Sequence, residues 1–214
     1  MSKLIFEISM SLDGYVAGPD PSDEDPLGVG GEDLHEWAFA TRSWRESHGR
    51  DGGEEGPESD LLQESIDRAG ATIMGRKMFS GGEGTWEDDS HRDGWWGDEP
   101  PFHHPVFILT HHEREAQEME GGTSFNFVTD GIETALEQAR EAAGDKDVKI
   151  AGGAQAGQQY LGAGLVDEML IHVAPVLLGG GVRLFDGDLG DVEVEIIRTV
   201  ESPNATHVGY RIQK

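Results

Sequence analysis

Two glycines, Gly152 and Gly153, stand between a β-forming run, Val148, Lys149, Ile150 and Ala151, and a helix-forming run over residues 154–161. That order brings the free N–H groups of a helix start beside a backbone with no Cβ to keep an anion away, a geometry suited to holding a phosphate. A close-packed strand-to-helix turn without a ligand carries the same signature. Residues 166–176 form a second apolar segment, which the run Gly179-Gly180-Gly181 ends. Two more places could do chemistry. Gly75-Arg76-Lys77 follows the buried-strand pattern of residues 71–74. Arg76 offers a forked donor set and Lys77 a point charge to a phosphate; solvated bases at a helix start are the competing reading. Asp13 lies where the first strand pattern stops, next to Gly14. It is placed to hydrogen-bond a substrate or relay a proton, or to bond its own turn backbone.

Other chemistries find less support. There is no cysteine, so thiolate nucleophiles, thiolate metal sites and disulfides are excluded. No serine elbow of the Gly-x-Ser-x-Gly type occurs. His91, His103, His104, His111 and His112 fall in one segment. The adjacent pairs flank a strand pattern, where neighbours point to opposite faces, so neither pair easily shares one ion, and a His-rich metal-binding protein is the lesser alternative. Trp37, Trp86, Trp95 and Trp96 suit either a wall for a flat aromatic ligand or core and loop packing.

The chain of 214 residues has a formal net charge of −26. A surface that acidic excludes nucleic acid as a partner. The acid is spread along the chain rather than held in a tail, and self-repulsion of this size is relieved by salt. An anionic cofactor would have to rely on the few cations present. No charged segment followed by an apolar stretch opens the chain, and no apolar run reaches membrane-spanning length. The expectation is a single cytoplasmic domain over residues 1–214.

The elements that must position these residues follow from periodicity. Residues 4–12 alternate as a strand. Residues 19–31 and 47–59 read as loops, 32–45 as a helix and 60–69 as a shorter helix. Residues 80–104 are irregular, a long surface excursion of the functional type. The continuous apolar run at 105–110 suits an interior strand covered on both faces. A strand at 125–129 and a helix over 131–143 precede the glycine pair, and residues 192–200 and 206–212 read as an antiparallel pair. Alternating strands and helices followed by strands alone predict an α/β sheet with an antiparallel end. The C-terminal strands and the apolar stretch 170–178 offer a surface for a homodimer.

These pieces, in this order, resemble the dihydrofolate reductase-like superfamily. The chain looks most like the group related to the C-terminal reductase domain of the bacterial bifunctional riboflavin-biosynthesis deaminase/reductase. The likeness rests on Ser11-Leu12-Asp13-Gly14-Tyr15-Val16-Ala17, Met74-Gly75-Arg76-Lys77-Met78-Phe79, Val106-Phe107-Ile108-Leu109-Thr110 and Ala151-Gly152-Gly153. Gly164-Leu165-Val166-Asp167-Glu168-Met169-Leu170, Pro175 and Gly179-Gly180-Gly181 complete it. The resemblance implies a twisted, mainly parallel sheet flanked by helices and an NADPH-dependent reductase acting on a small-molecule substrate; the alternative is a non-catalytic nucleotide- or ligand-binding relative of the same fold. It implies that Ala17 and Gly18 lie near the nicotinamide. Gly75, Arg76 and Lys77 would open the helix on the adenosine side, Arg76 meeting the 2′-phosphate, with Thr110 and His111 in the other adenosine-side turn. Gly152 and Gly153, joined by a cis peptide in dihydrofolate reductases, would pass under the pyrophosphate, with Ala154 and Gln155 opening the next helix. The chemistry implied is hydride transfer to a C=N or C=O carbon; Asp13, placed to hydrogen-bond the substrate or relay a proton, is the candidate catalytic residue. Ala151 stands where the riboflavin-pathway reductases commonly carry an acid, which leaves the substrate at a small heteroaromatic or carbonyl compound.

Overall fold

The computed structural model describes residues 2–213 except 23, 83 and 187–191. Residues 23 and 83, within two of the expected irregular stretches, lie outside the described set. The strands are β1 (Leu4–Ser11), β2 (Tyr15–Ala17), β3 (Ala69–Gly75), β4 (Pro105–Leu109), β5 (Gln117–Glu118) and β6 (Ser124–Val128). They continue with β7 (Asp147–Gly152), β8 (Glu168–Ala174), β9 (Val182–Arg183), β10 (Glu193–Glu201) and β11 (Thr206–Gln213). The helices are α1 (Glu36–Phe39), α2 (Arg42–Ser47), α3 (Pro57–Arg68), α4 (Arg76–Ser80), α5 (Ile132–Ala143) and α6 (Ala154–Gly162).

Nine strands form one sheet in the order β10-β11-β8-β1-β7-β3-β4-β6-β5. The six from β8 to β6 run parallel. At one end β11 pairs antiparallel with β8 and β10 with β11; at the other, β5 pairs antiparallel with β6. This is the expected architecture of a mainly parallel sheet with C-terminal antiparallel strands. The run at β4 is covered on both faces. Val106 and Ile108 pack with Met74, Phe79 and Phe125, whereas Phe107 joins the main core.

Local chemistry moved several boundaries. The helix expected over residues 32–45 is broken. A 3-10 turn at Glu32–His35 leads into α1, and Thr41 then adopts an extended backbone. Its hydroxyl donates to the Ala38 carbonyl at 2.6 Å and accepts from the Trp44 N–H at 3.2 Å, so one side chain ends α1 and caps α2. Helix α3 starts three residues earlier than residue 60. Gly56, at φ 141°, makes the turn, and Pro57 follows at the first helical position, where its missing N–H costs nothing. The ribbon pairing β2 with β9 and the two-residue β5 were not foreseen. Both are too short to show a period.

Alternation along β1 separates two environments. Leu4 and Phe6 enter the main core with residues of α5 and α6. Helix α6 lies so close to the sheet that a Cβ on Gly157 would stand 2.0 Å from Cζ of Phe6. Glu7 and Ser9 point the other way into a buried polar layer. Lys149 pairs with Glu7 at 2.8 Å, His172 Nε2 lies 3.2 Å from the same carboxylate, and Ser65 donates to it. His172 and His207, partners in the β8–β11 register, approach Nδ1 to Nδ1 at 2.8 Å. The Trp37 indole N–H donates to Ser9 Oγ at 3.1 Å. Its ring packs on both imidazoles, with centroids at 4.3 and 4.7 Å. Trp37 is therefore core, not a ligand wall. Burial pushes the Glu7 carboxyl up, yet Lys149 and His172 outweigh it and hold the group well below the usual carboxylate range. Burial, aided by the charge of His172, pushes His207 down to about 4.

Two expected outcomes test this packing. Gly157→Ala overpacks the Phe6 contact and lowers stability by about 1–3 kcal/mol in urea unfolding, outweighing the better helix propensity of alanine. The second concerns pH. An imidazole at about 4 in the folded chain and about 6.5 unfolded favours the folded state fully above pH 6.5, and that contribution is lost as pH falls toward 4. The Glu7 carboxyl, depressed below its unfolded value of about 4.3, adds a loss in the same direction below that pH. Unfolding free energy should therefore drop between pH 7 and pH 5, and drop less steeply in His207→Asn.

Candidate active site

The carboxyl ends of β1, β7 and β3 lie side by side, with β7 in the middle. The chain leaves β7 through Gly152, at φ 138°, and a cis Gly152–Gly153 peptide, then enters α6 at Ala154. No side chain caps α6 at its amino end, so its first N–H groups are directed to whatever fills the crevice in front. Gly75, at the end of β3, faces this turn: a Cβ there would stand 3.8 Å from the Gly153 nitrogen. Gly75, Gly152, Gly153, Ala154 and Gln155 are thus brought together as one wall.

The opposite wall is the segment after β1, stitched to the glycine run after β8. A Cβ on Gly181 would stand 2.1 Å from the Ala17 carbonyl oxygen, and one on Gly18 would stand 2.1 Å from that of Val29. Ala17 and Gly18 are held by this close packing. A cavity of about 340 Å³ opens here, lined by Tyr15, Ala154, Gln155, Gln158, Gly181, Val182, Arg183 and Asp186. Arg183 lies over the Tyr15 ring at 4.9 Å and donates to its hydroxyl at 3.1 Å. This cation beside the start of α6 escaped the sequence reading, because Arg183 belongs to no motif. Its one signal was its rarity in so acidic a chain.

Asp13 sits behind that wall. Its carboxylate accepts the Ser11 hydroxyl at 2.7 Å and the N–H groups of Leu178 and Gly179 at 3.1 and 2.7 Å. The Ser11 hydrogen bond above all, with the two backbone donors, holds the carboxyl below its usual value. Asp13 is thus held as an acceptor by three donors. The geometry gives Asp13 a positioning part, tying the end of β1 to the 178–181 turn.

The cations after Gly75 are arranged differently from the expected phosphate clamp. Arg76 is buried, with 8% of its surface exposed. Its Nε donates to the Ser80 hydroxyl at 2.9 Å, and Nη2 pairs with Asp89. Its guanidinium carbon lies 3.2 Å from the centre of the Trp86 ring. Arg114 covers the same ring at 4.9 Å, and the indole N–H donates to the His112 carbonyl at 2.9 Å. Trp86 is thereby a packing residue that ties its loop to Arg76 of α4 and to the turn after β4. Lys77 follows in α4. Thr110 is buried just past β4, where its hydroxyl accepts the His112 N–H at 3.2 Å, and His111 is exposed beside it. The adenosine-side candidates thus lie at neighbouring strand ends, with Arg76 engaged by the protein itself.

The histidines of residues 91–112 do not gather. His103 Nδ1 lies 2.9 Å from the Gly121 carbonyl oxygen, and His104 Nε2 lies 2.8 Å from the Thr72 hydroxyl. Among the described residues no three His, Asp or Glu side chains converge on a point that a metal could occupy. Nor, among these residues, is any helix long and apolar enough to cross a membrane.

Comparison with solved structures finds the same fold elsewhere. A Shewanella sp. PV-4 protein assigned to riboflavin biosynthesis superimposes with a TM-score of 0.62 at 23% identity, covering 100% of both chains. The riboflavin biosynthesis reductase Rib7 of Saccharomyces cerevisiae gives a TM-score of 0.55 at 13% identity, over 100% of this chain and 89% of that one. Dihydrofolate reductase from Enterococcus faecalis, solved with NADP(H), gives 0.55 at 15% identity, over 99% and 97%. Among curated proteins no match is found. The family model of the RibD C-terminal domain matches residues 2–208, almost the entire length. With its dihydrofolate reductase-like sheet and glycine-walled crevice, this chain belongs to the RibD C-terminal domain family.

Proposed function

We propose that the protein is an NADPH-dependent reductase that delivers hydride to a C=N or C=O carbon of a small heteroaromatic or carbonyl compound. The observation that carries this reading is the glycine wall at the carboxyl ends of β7 and β3, set before the uncapped start of α6. Ligands of open α/β sheets bind in such a crevice, and the family and the neighbouring folds are those of reductases. The residues fit a dinucleotide. Gly152 and Gly153 leave room for a diphosphate, the N–H groups of Ala154 and Gln155 face it, and Arg183 adds a cation across the cavity. Ala17 and Gly18 border the space on the nicotinamide side. Gly75, Arg76, Lys77, Thr110 and His111 border it on the adenosine side.

NADPH, when bound, supplies the hydride. The chain's own work is orientation. Asp13 fixes the 178–181 turn, and with it Gly181 and Arg183, which lie against the end and the start of β2. Because that carboxylate stays ionised, the proton that accompanies the hydride comes from another group or from water.

Fluorescence titration with NADPH tests the reading, followed by NADPH oxidation across a panel of pterins, pyrimidines and carbonyl compounds. Absence of binding at millimolar NADPH would refute it. Arg183→Gln should raise the Kd of NADPH and NADH by a similar factor, about five- to tenfold for one charge-assisted contact to a diphosphate. A change confined to NADPH would remove Arg183 from that place. Asp13→Asn should weaken cofactor binding together with turnover. A fall in turnover with binding intact would instead make Asp13 a participant in the chemistry.

A further inference from the structure

Resting on the NADPH reading above, we infer that Asp89 sets the cofactor preference of this protein by competing with the 2′-phosphate for Arg76. Arg76 opens α4 directly after Gly75, whose backbone faces the Gly152–Gly153 turn. Its fork is met by Ser80 Oγ at Nε and by Asp89 Oδ2 at Nη2, while Ser80 donates its own proton to the same carboxylate oxygen at 2.6 Å. Two oxygens around one guanidinium is the pattern a phosphate monoester would present. Here a loop of the same chain presents it. The Asp89 side chain is only 3% exposed. Although burial pushes its carboxyl up, Ser80 and Arg76 hold it below the usual range. It is therefore a charged rival and not a neutral spacer.

Three features show that this seat is built. Gly82 lies directly against the pair: a Cβ there would stand 2.3 Å from Asp89 Oδ2 and 3.2 Å from Arg76 Nη2. A larger residue would push the carboxylate off. Trp86 closes the guanidinium face, so Arg76 cannot swing away without unstacking. Finally, Nη1 of Arg76 is buried with no hydrogen-bond partner. One edge of the fork thus stays unsatisfied while Asp89 holds the other, an arrangement costly enough to need a reason. The Asp89 carboxylate offers two oxygens, and one of them accepts the His91 N–H at 2.9 Å. A phosphate has three and can serve both edges. A 2′-phosphate must displace Asp89 to reach Arg76, and NADH, lacking that phosphate, need not.

Calorimetry with two nucleotide probes, 2′,5′-ADP and 5′-AMP, decides the matter without requiring turnover. In Asp89→Asn the neutral amide no longer balances Arg76. The Kd of 2′,5′-ADP should fall about tenfold, the scale of a single charged contact, while that of 5′-AMP stays within about twofold. The ratio of NADPH to NADH affinities should shift by the same factor. Unchanged ratios, with both probes still bound, would overturn the role of Asp89 and leave the reductase reading standing. Failure of wild type to bind either probe or either dinucleotide at millimolar concentration would overturn both. Removing one member of a buried pair can also unfold a chain, so the unaltered protein supplies a second measurement. Trypsin cleavage at the exposed Arg92, three residues from Asp89, should accelerate with saturating 2′,5′-ADP and not with 5′-AMP. Equal rates with the two would count against displacement.

Discussion

The contact between Phe6 and Gly157 is the constraint on which the site depends. A parallel sheet flanked by helices needs each helix close enough to exclude water from the core between them. At this crossing the phenyl ring fills the space that any side chain on α6 would need. The absence of a Cβ at Gly157 lets α6 lie down on β1 and β7, and Tyr160 then reaches across to donate to the Ile132 carbonyl of α5 at 2.7 Å. With the helix seated, its amino end follows Gly152 and Gly153 directly and opens on the crevice between β1 and β3. The site's central dipole is a consequence of core packing, and the glycines keep the approach to it clear.

Charge explains the rest of the arrangement. In a chain of net charge −26 most cations are already answered by carboxylates. Lys149 meets Glu7, Lys3 meets Glu168, Arg68 meets Asp147 and Glu168, and Arg114 meets Asp93. Arg76 meets Asp89 in the same way. The positive charge is largely paired within the molecule, most tightly where both partners are buried, as in Arg76–Asp89. A site for an anion must then be assembled mainly from backbone N–H groups and helix dipoles, with Arg183 as a local addition. That balance is the opposite of what the Gly75-Arg76-Lys77 motif suggests when read by itself.

Much of the fold was legible. The alternation at residues 4–12, the apolar run at 105–110 and the break at Gly152-Gly153 each became the element expected, because burial on one face or both imposes a period that survives in the residues. Where the reading failed, a single side chain or backbone angle outranked the period. Thr41 split a helix by capping it, and Pro57 started another early. In the site, the glycine wall was legible because close backbone approach demands glycine. Arg183 was not, since β9 and β2 pair over two residues in a contact set by the loops around them. Asp13 was correctly located at the end of β1. Besides Ser11, its partners are N–H groups from residues 178 and 179, so its tie to that turn could not be read locally.

By itself, the sequence determined the order of strands and helices, the parallel-then-antiparallel sheet, the family, and the places where backbone must come close to a ligand. These are properties of periodicity and of residues lacking a Cβ, and both are written along the chain. Only the tertiary structure decided which charges are free to act. The carboxylate that meets Arg76 is thirteen residues away in a stretch without regular structure, the backbone donors to Asp13 are on a turn beyond β8, and Trp37 is core because β8 and β11 bring His172 and His207 beneath it. Coulomb energy and hydrogen bonding depend on distance in space, and no local pattern of residues encodes that distance.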